Sequence, residues 1–480
     1  MTHRIGWNGP RRAFAGAVVC AALLAIATAA GAQPDTARDP RGTWLGKIQD
    51  ALRIVVHVAA DDHGGLTSKV DSPDQGAMGL PVSTTTFAED TLRLELANLG
   101  AAYVGRMSAD GATIAGEWHQ GGQVLPLSLA RTDSVEQPRR PQEPKPPFPY
   151  VSEDVRYAGG AKNVMLAGTL TKPRGEGPFP CALMITGSGP ENRDELVFGH
   201  RPFLVIADDL TRAGIAVLRV DDRGVGGSTG GSESVTTEDF ATDVMAGVKF
   251  LAARQDIDAK RIGLIGHSEG GLIAPMVATR MKGIAFIVML AGPGVTGAEI
   301  MLAQGEAIGR AMGQSDADLA QRRTLQQQLF ALARQRPDSA AAVTRVRGIL
   351  RDAGLDSAAV AAQLRPSLGL VRSPWIGYFL DYDPRPALRR VKCPVLALNG
   401  GNDLQVPPKQ NLPEIGKALK VGGNRDFETR ELPGLNHLFQ TSATGSQAEY
   451  ARIEETVSPA ALQAMREWIV ARTLTPGRGR

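Results

Sequence analysis

The chain has 480 residues, of which 43% are apolar, 21% charged and 5% aromatic, values ordinary for a globular protein long enough for two or three domains with sizeable cores. The formal charge of +3 falls to near zero once residues 1–32 are set aside, since they hold Arg4, Arg11 and Arg12 and no acid. A near-neutral chain without a Lys/Arg cluster has no footprint for a nucleic-acid partner.

Residues 1–32 read as a secretory signal peptide. Arg4, Arg11 and Arg12 form a basic start, Ala13 to Ala30 an apolar stretch, and Ala30-Gly31-Ala32 a small-residue cleavage site. The expectation is an exported protein, periplasmic or secreted, with no membrane span after cleavage. Residues 41–131 then read as a small antiparallel β domain, a barrel or sandwich. Leu52, Ile54, Val56 and Val58 alternate with period two, as do Leu92, Leu94 and Leu96. Asp110-Gly111 is a hairpin signal. His57, His63 and His119 have no metal-ligand spacing, so no metal is expected. Residues 132–149 hold six prolines between Pro138 and Pro149 and predict a stiff, extended linker.

From residue 150 to 475 short apolar runs alternate with helical patterns. The predicted strands are Cys181–Thr186, Ile215–Asp221, Arg261–Ile265, Ala285–Ala291, Pro394–Asn399 and Phe427–Glu431, with helices over Asp239–Ala253 and Ala460–Ala471 among those between and after them. Such alternation implies a mostly parallel sheet covered on both faces, with ligands at the carboxyl ends of its strands. Residues 295–385, rich in Ala, Gln, Arg and Leu, interrupt the pattern and read as a helical insertion, a mobile cap over the cleft.

Gly266-His267-Ser268-Glu269-Gly270 follows the third of these strands and precedes the apolar helical run Gly271–Met281. A strand, a Gly-x-Ser-x-Gly turn and a helix make the nucleophile elbow of α/β-hydrolases. The glycines flank a sharp turn too crowded for side chains. Gly226-Gly227-Ser228-Thr229-Gly230 matches the same pattern but leads into a polar loop, so Ser228 reads as a turn residue. A serine needs a base, usually a histidine oriented by a carboxylate, and this fold runs Ser, acid, His in chain order. His437 is the only histidine after Ser268. Asp403, just past Pro394–Asn399, is the predicted acid, with Asp381 and Asp383 as weaker candidates. The oxyanion donors are expected to be the backbone N–H groups of Glu269 and Ser188. Asp222-Arg223-Gly224-Val225-Gly226-Gly227-Ser228 lacks the Gly-Lys-Ser/Thr of a phosphate loop and reads as structural.

On these residues the region 150–475 resembles bacterial α/β-hydrolases close to the carboxylesterases and to the serine aminopeptidase and prolyl oligopeptidase-like groups. The resemblance also rests on Gly187-Ser188-Gly189-Pro190 followed by Arg193-Asp194-Glu195, on Asp222-Arg223-Gly224, on Ser373-Pro374-Trp375 with Phe379, and on Asp403 with Val406. Asn192 stands where the motif usually has Asp. The resemblance implies an α/β-hydrolase fold with a helical cap, a small all-β domain before it, and a secreted serine esterase needing no cofactor and no metal. In that strand order the strands opened by Cys181 and Cys393 are not neighbours, so no disulfide is expected. A serine aminopeptidase acting on short peptides is the alternative; it needs an acid near the serine for a free amine, and Glu195 or an acid of the cap could serve. Trp375, Tyr378 and Phe379 are expected to face the cleft and to suit a small acyl or aromatic ester.

Overall fold

The computed structural model describes residues 38–49, 52–135, 138–231 and 234–474; the segment read as a signal peptide lies outside them. The first domain contains strands β1 (Gly42–Ile48), β2 (Leu52–Ala60), β3 (Leu66–Ser72), β4 (Ala77–Pro81), β5 (Thr84–Ala88), β6 (Thr91–Leu96), β7 (Ala101–Met107), β8 (Thr113–Gln120) and β9 (Gln123–Thr132). They form one antiparallel sheet in the order β4-β3-β2-β1-β9-β8-β7-β6-β5. Each strand is antiparallel to its neighbours, which makes β4 and β5 run the same way, and only Val82 and Ser83 separate them. They are halves of one bent strand, so the sheet curls into an up-and-down barrel of the kind expected. The alternating residues explain the curl. Val56, Val58, Leu92, Leu94, Leu127 and Leu129 all point inward onto one core with Trp44 and Tyr103. The hairpin at Asp110-Gly111 joins β7 to β8, with Gly111 at φ 69°.

The second domain is an eight-stranded sheet. Its strands are β10 (Val151–Ala158), β11 (Met165–Lys172), β12 (Phe179–Ile185), β13 (Ala216–Val220), β14 (Ile257–His267), β15 (Ile284–Leu290), β16 (Val395–Gly400) and β17 (Phe427–Leu432), in the order β10-β11-β13-β12-β14-β15-β16-β17. From β13 to β17 every pairing is parallel, while β10 and β11 are antiparallel. All six predicted strands are present. β10 and β11 are additions to the reading: β10 (VSEDVRYA) has the mixed polar pattern of an edge facing water, and β11 (MLAGTLTK) is buried but broken by Gly168, Thr169 and Thr171, so it lacks a continuous apolar run.

The helices are α1 (Pro202–Arg212), α2 (Thr237–Ala252), α3 (Glu269–Arg280), α4 (Gly297–Ala311), α5 (Asp316–Arg334), α6 (Ser339–Asp352), α7 (Ser357–Arg372), α8 (Pro374–Phe379), α9 (Arg385–Leu388), α10 (Pro408–Val421), α11 (Gln447–Tyr450) and α12 (Pro459–Thr473). α2, α3 and α10 bury apolar residues on one face of the sheet, α1 and α12 on the other. The central strands are therefore buried on both sides and read as continuous apolar runs. α4 to α8 occupy the stretch between β15 and β16 predicted as a helical insertion. α5, α6 and α7 pack on one another through Leu329, Leu332, Val346, Leu350 and Val371, a small core of their own. Cys181 and Cys393 are free thiols.

The proline-rich linker is fastened down rather than acting as a free spacer. Arg140 donates to the carbonyls of Phe198, Gly199, Ala451 and Ile453. Gln142 accepts from the Thr456 and Val457 amides. The turn Pro73–Gly76 of the barrel rests on the same place: a Cβ on Gly76 would lie 2.0 Å from the Cα of Phe198. Among the described residues no helix is long and apolar enough to cross a membrane.

Candidate active site

Ser268 stands between β14 and α3 with φ 52° and ψ −117°, outside the usual regions for a residue with a side chain. Backbone bonds hold it there: its N–H donates to Leu290 of β15, and its carbonyl accepts from Gly271. The glycines leave no room. A Cβ on Gly266 would lie 2.0 Å from the Gly270 carbonyl oxygen, one on Gly270 2.2 Å from that of Ile185, and one on Gly271 2.7 Å from the Gly292 Cα. β14 and α3 can approach this closely only through residues without side chains.

His437 lies in the loop after β17. Asn436 knots that loop, its side-chain oxygen accepting from the Leu438 and Gln440 amides and its nitrogen donating to Gln440 Oε1. His437 Nδ1 donates to Asp403 Oδ2 at 2.8 Å. Asp403, in the turn after β16, is 3% exposed and well satisfied: Oδ1 accepts from the Gln405 and Val406 amides, and Oδ2 also from Asn399 Nδ2. Asp403 thus fixes the imidazole with its proton on Nδ1 and leaves Nε2 bare. The weaker candidates are engaged elsewhere, Asp381 with Arg334 and Asp383 with Arg385.

Ser268, His437, Ser188 and Glu269 all line one cavity of about 290 Å³. Ile300, Met301 and Gln304 of α4 and Trp375 and Phe379 of α8 form another wall, with the two aromatic rings stacked 5.0 Å apart. Residues of the helical insertion therefore reach the cavity. Tyr378 does not line it: its hydroxyl meets Glu238, and its ring stacks on Tyr382. On the short helix α8, residues 375 and 379 share a face that 378 does not fully share.

The family model of the alpha/beta hydrolase family matches residues 183–452. The chain belongs to the alpha/beta hydrolase family. It is similar to Esterase EstD of Thermotoga maritima, 28% identical over 277 residues, which are 57% of this chain and 58% of EstD. The chain thus spans little more than half the length of that relative. Among solved structures it is similar to the Pyrococcus furiosus esterase Pf2001, at 17% identity and a TM-score of 0.44 over 71% of this chain and all of that one. It is also similar to Est1E of Butyrivibrio proteoclasticus with ferulic acid bound, at 17% identity and 0.39 over 66% and 98%.

Within this hydrolase domain the Ser188 loop is braced from the neighbouring strand. Asp222, after β13, accepts from Thr186 Oγ1 and from the Glu191 amide. Asp221 accepts from the Arg193 amide and guanidinium. Arg223 is buried on Asp243. Ser228 donates to the Asp221 carbonyl and accepts from the Ala167 amide, the structural part expected of it. Glu269 does more than supply an amide. Its buried carboxylate accepts from Thr237 Oγ1, Trp375 Nε1 and the Ser188 hydroxyl, joining the elbow, α2, α8 and the Ser188 loop. Burial raises its pKa against those hydrogen bonds.

His267, the free position of Gly-x-Ser-x-Gly, has a role that the motif cannot specify. Its Nδ1 meets Glu195 Oε1 at 2.9 Å and its Nε2 the His437 carbonyl at 3.0 Å. Both partners accept, and a neutral imidazole donates from only one nitrogen, so the geometry suits the imidazolium. Burial opposes that charge, but Glu195, the His437 carbonyl and Asp403 outweigh it and push the His267 pKa up to about 9. Glu195 Oε1 also accepts from the Gly187 amide, so the pair ties the Ser188 loop to the His437 loop. A raised histidine pKa contributes stability in full below the unfolded value near ~6.5, and loses it as pH rises through about 9. Histidine-selective NMR should show His267 titrating near 9, and in Glu195→Gln well below that, since burial then faces no opposing charge. An unchanged titration would remove Glu195 as the cause. Among the described residues no three His, Cys, Asp or Glu side chains come together as a metal-ligand set.

Proposed function

We propose that the protein is a serine hydrolase of carboxylic esters with small acyl groups, acting through an acyl-enzyme on Ser268, and that it is exported. The observation that carries this reading is the opening of a strained Ser268 and an Asp403-held His437 onto one cavity. His437 Nε2 takes the serine proton as Oγ attacks the ester carbonyl. The N–H groups of Ser188 and Glu269 receive the developing oxyanion, the latter at the positive end of α3. The protonated imidazole then gives its proton to the departing alcohol. In the second half Nε2 takes a proton from water, the hydroxide oxygen attacks the acyl carbon, and Ser268 recovers its proton as the acid leaves. The likeness to EstD supports the ester bond as the target.

The wall of Ile300, Met301, Trp375 and Phe379 sets the acyl preference, with α4 to α8 acting as a cap. A series of p-nitrophenyl esters tests it. kcat/KM should climb from acetate to butyrate or hexanoate, since each buried CH₂ adds up to ~0.8 kcal/mol, and decline beyond roughly eight carbons. A fluorophosphonate probe should label Ser268. A flat chain-length profile with rapid cleavage of aminoacyl anilides would replace the esterase reading with a peptidase one.

A further inference from the structure

The cavity walls carry an electrostatic bias. No Lys or Arg is among the lining residues, whereas Glu191, Glu195 and Glu269 are, with the His267 imidazolium the cation among them. Two of these acids are engaged: Glu195 by His267 and the Gly187 amide, Glu269 by Thr237, Trp375 and Ser188. Glu191 differs. It lies three residues past Ser188, and its main chain is fixed on both sides, the N–H donating to the Asp222 carboxylate and the carbonyl accepting from the Asp222 amide. Its own carboxylate receives no hydrogen bond and forms no ion pair with any described residue, although its partly buried side chain lines the same cavity as Ser268. A partly desolvated carboxyl group with no partner in the protein is free to receive a donor or a cation that enters the cavity.

We propose that Glu191 is a specificity-determining residue that receives a cationic ammonium group of the substrate, so that the preferred substrates are esters bearing a positive charge near the reacting carbonyl. This rests on the ester-hydrolase reading of the cavity and names the substrate class. Glu195 is not suited to that part, because it is 3% exposed and its charge is already matched by the His267 imidazolium at 2.9 Å. A neutral ester still fits the apolar wall; an anionic one meets repulsion.

The groups around Glu191 decide when it acts. Burial and the Glu195 charge raise its pKa to about 7, against the pull of the His267 cation. The Asp222 carboxyl also faces it, but burial and the Glu191 and Glu269 charges push its own pKa well above the usual carboxylate range, which favours its neutral form. Glu191 is thus neutral below that pH and anionic above it, so the preference for a cation grows as pH rises through about 7.

The test compares isosteres whose charge does not titrate. One pair differs in the acyl part: p-nitrophenyl esters of 4-(trimethylammonio)butyrate and of 5,5-dimethylhexanoate. The other differs in the alcohol part: the butyrates of choline and of 3,3-dimethylbutanol. In the wild type, at least one pair should favour the cationic member by about tenfold in kcat/KM above pH 8, with less preference at pH 6. Glu191→Gln, an isosteric change, should bring that ratio close to one and flatten its pH dependence, leaving the neutral esters unaffected. Equal ratios in wild type and Glu191→Gln, or a parallel loss on neutral and cationic esters, would overturn the assignment. Failure of the wild type on both neutral esters would instead overturn the ester-hydrolase reading beneath it.

Discussion

Ser268→Ala is expected to lower kcat for ester hydrolysis by ~10⁴-fold or more while the protein stays folded. The hydroxyl of Ser268 is not part of the bonds that shape the elbow. Those run through its backbone, to Leu290 and from Gly271, and the turn is enforced by the close packing at Gly266 and Gly270. Alanine keeps the backbone path and removes only the attacking oxygen. Ser228→Ala is the paired control. Its hydroxyl bridges the Asp221 carbonyl and the Ala167 amide in a buried loop, so its loss should cost ~1–3 kcal/mol of stability with most activity retained. Initial rates on p-nitrophenyl butyrate and thermal melts of both variants decide the matter. An active Ser268→Ala beside an inactive Ser228→Ala would move the nucleophile to the other Gly-x-Ser-x-Gly.

Asp403→Asn should leave a folded enzyme with kcat lowered by ~10⁴-fold. The carboxylate accepts at both oxygens, from two backbone amides, Asn399 and His437. An asparagine amide can keep its oxygen on the Gln405 and Val406 amides. Its NH₂ then points at His437 Nδ1, which must lose its proton to accept, and the proton moves to Nε2. That nitrogen can no longer take a proton from Ser268. Single-turnover rates together with the ¹⁵N shifts of His437 separate this tautomer change from a general loss of structure. Activity near normal in Asp403→Asn would show that another carboxylate holds the base.

The two Gly-x-Ser-x-Gly stretches show what is legible in a linear chain. The apolar strand before Ser268 and the apolar helix after it are local patterns, set by which side chains must be buried, and they distinguish it from Ser228. The barrel, the parallel sheet and the helical insertion were legible for the same reason: periodicities of two and of 3.6 record which face of each element meets a core. β10 escaped because an edge exposed to water carries no such record, and β11 because Gly168, Thr169 and Thr171 interrupt its buried run. Tyr378 was placed wrongly at the cavity because its orientation depends on the path of α8 and on Glu238, far away in the chain.

The sequence by itself determined the order of elements, the turn at Ser268 and the order serine, acid, histidine, since each rests on neighbours within a few residues or on the fixed topology of a parallel sheet. Only the tertiary structure decided which polar groups are satisfied. Glu191 and Glu195 are four residues apart in one acidic loop and are alike in sequence. One is tied to His267, 72 residues further on, and the other is left facing the cavity. A carboxylate's role is set by the donors within about 3 Å of it, and in a folded chain those donors come from distant strands brought together by burial of the apolar residues between them.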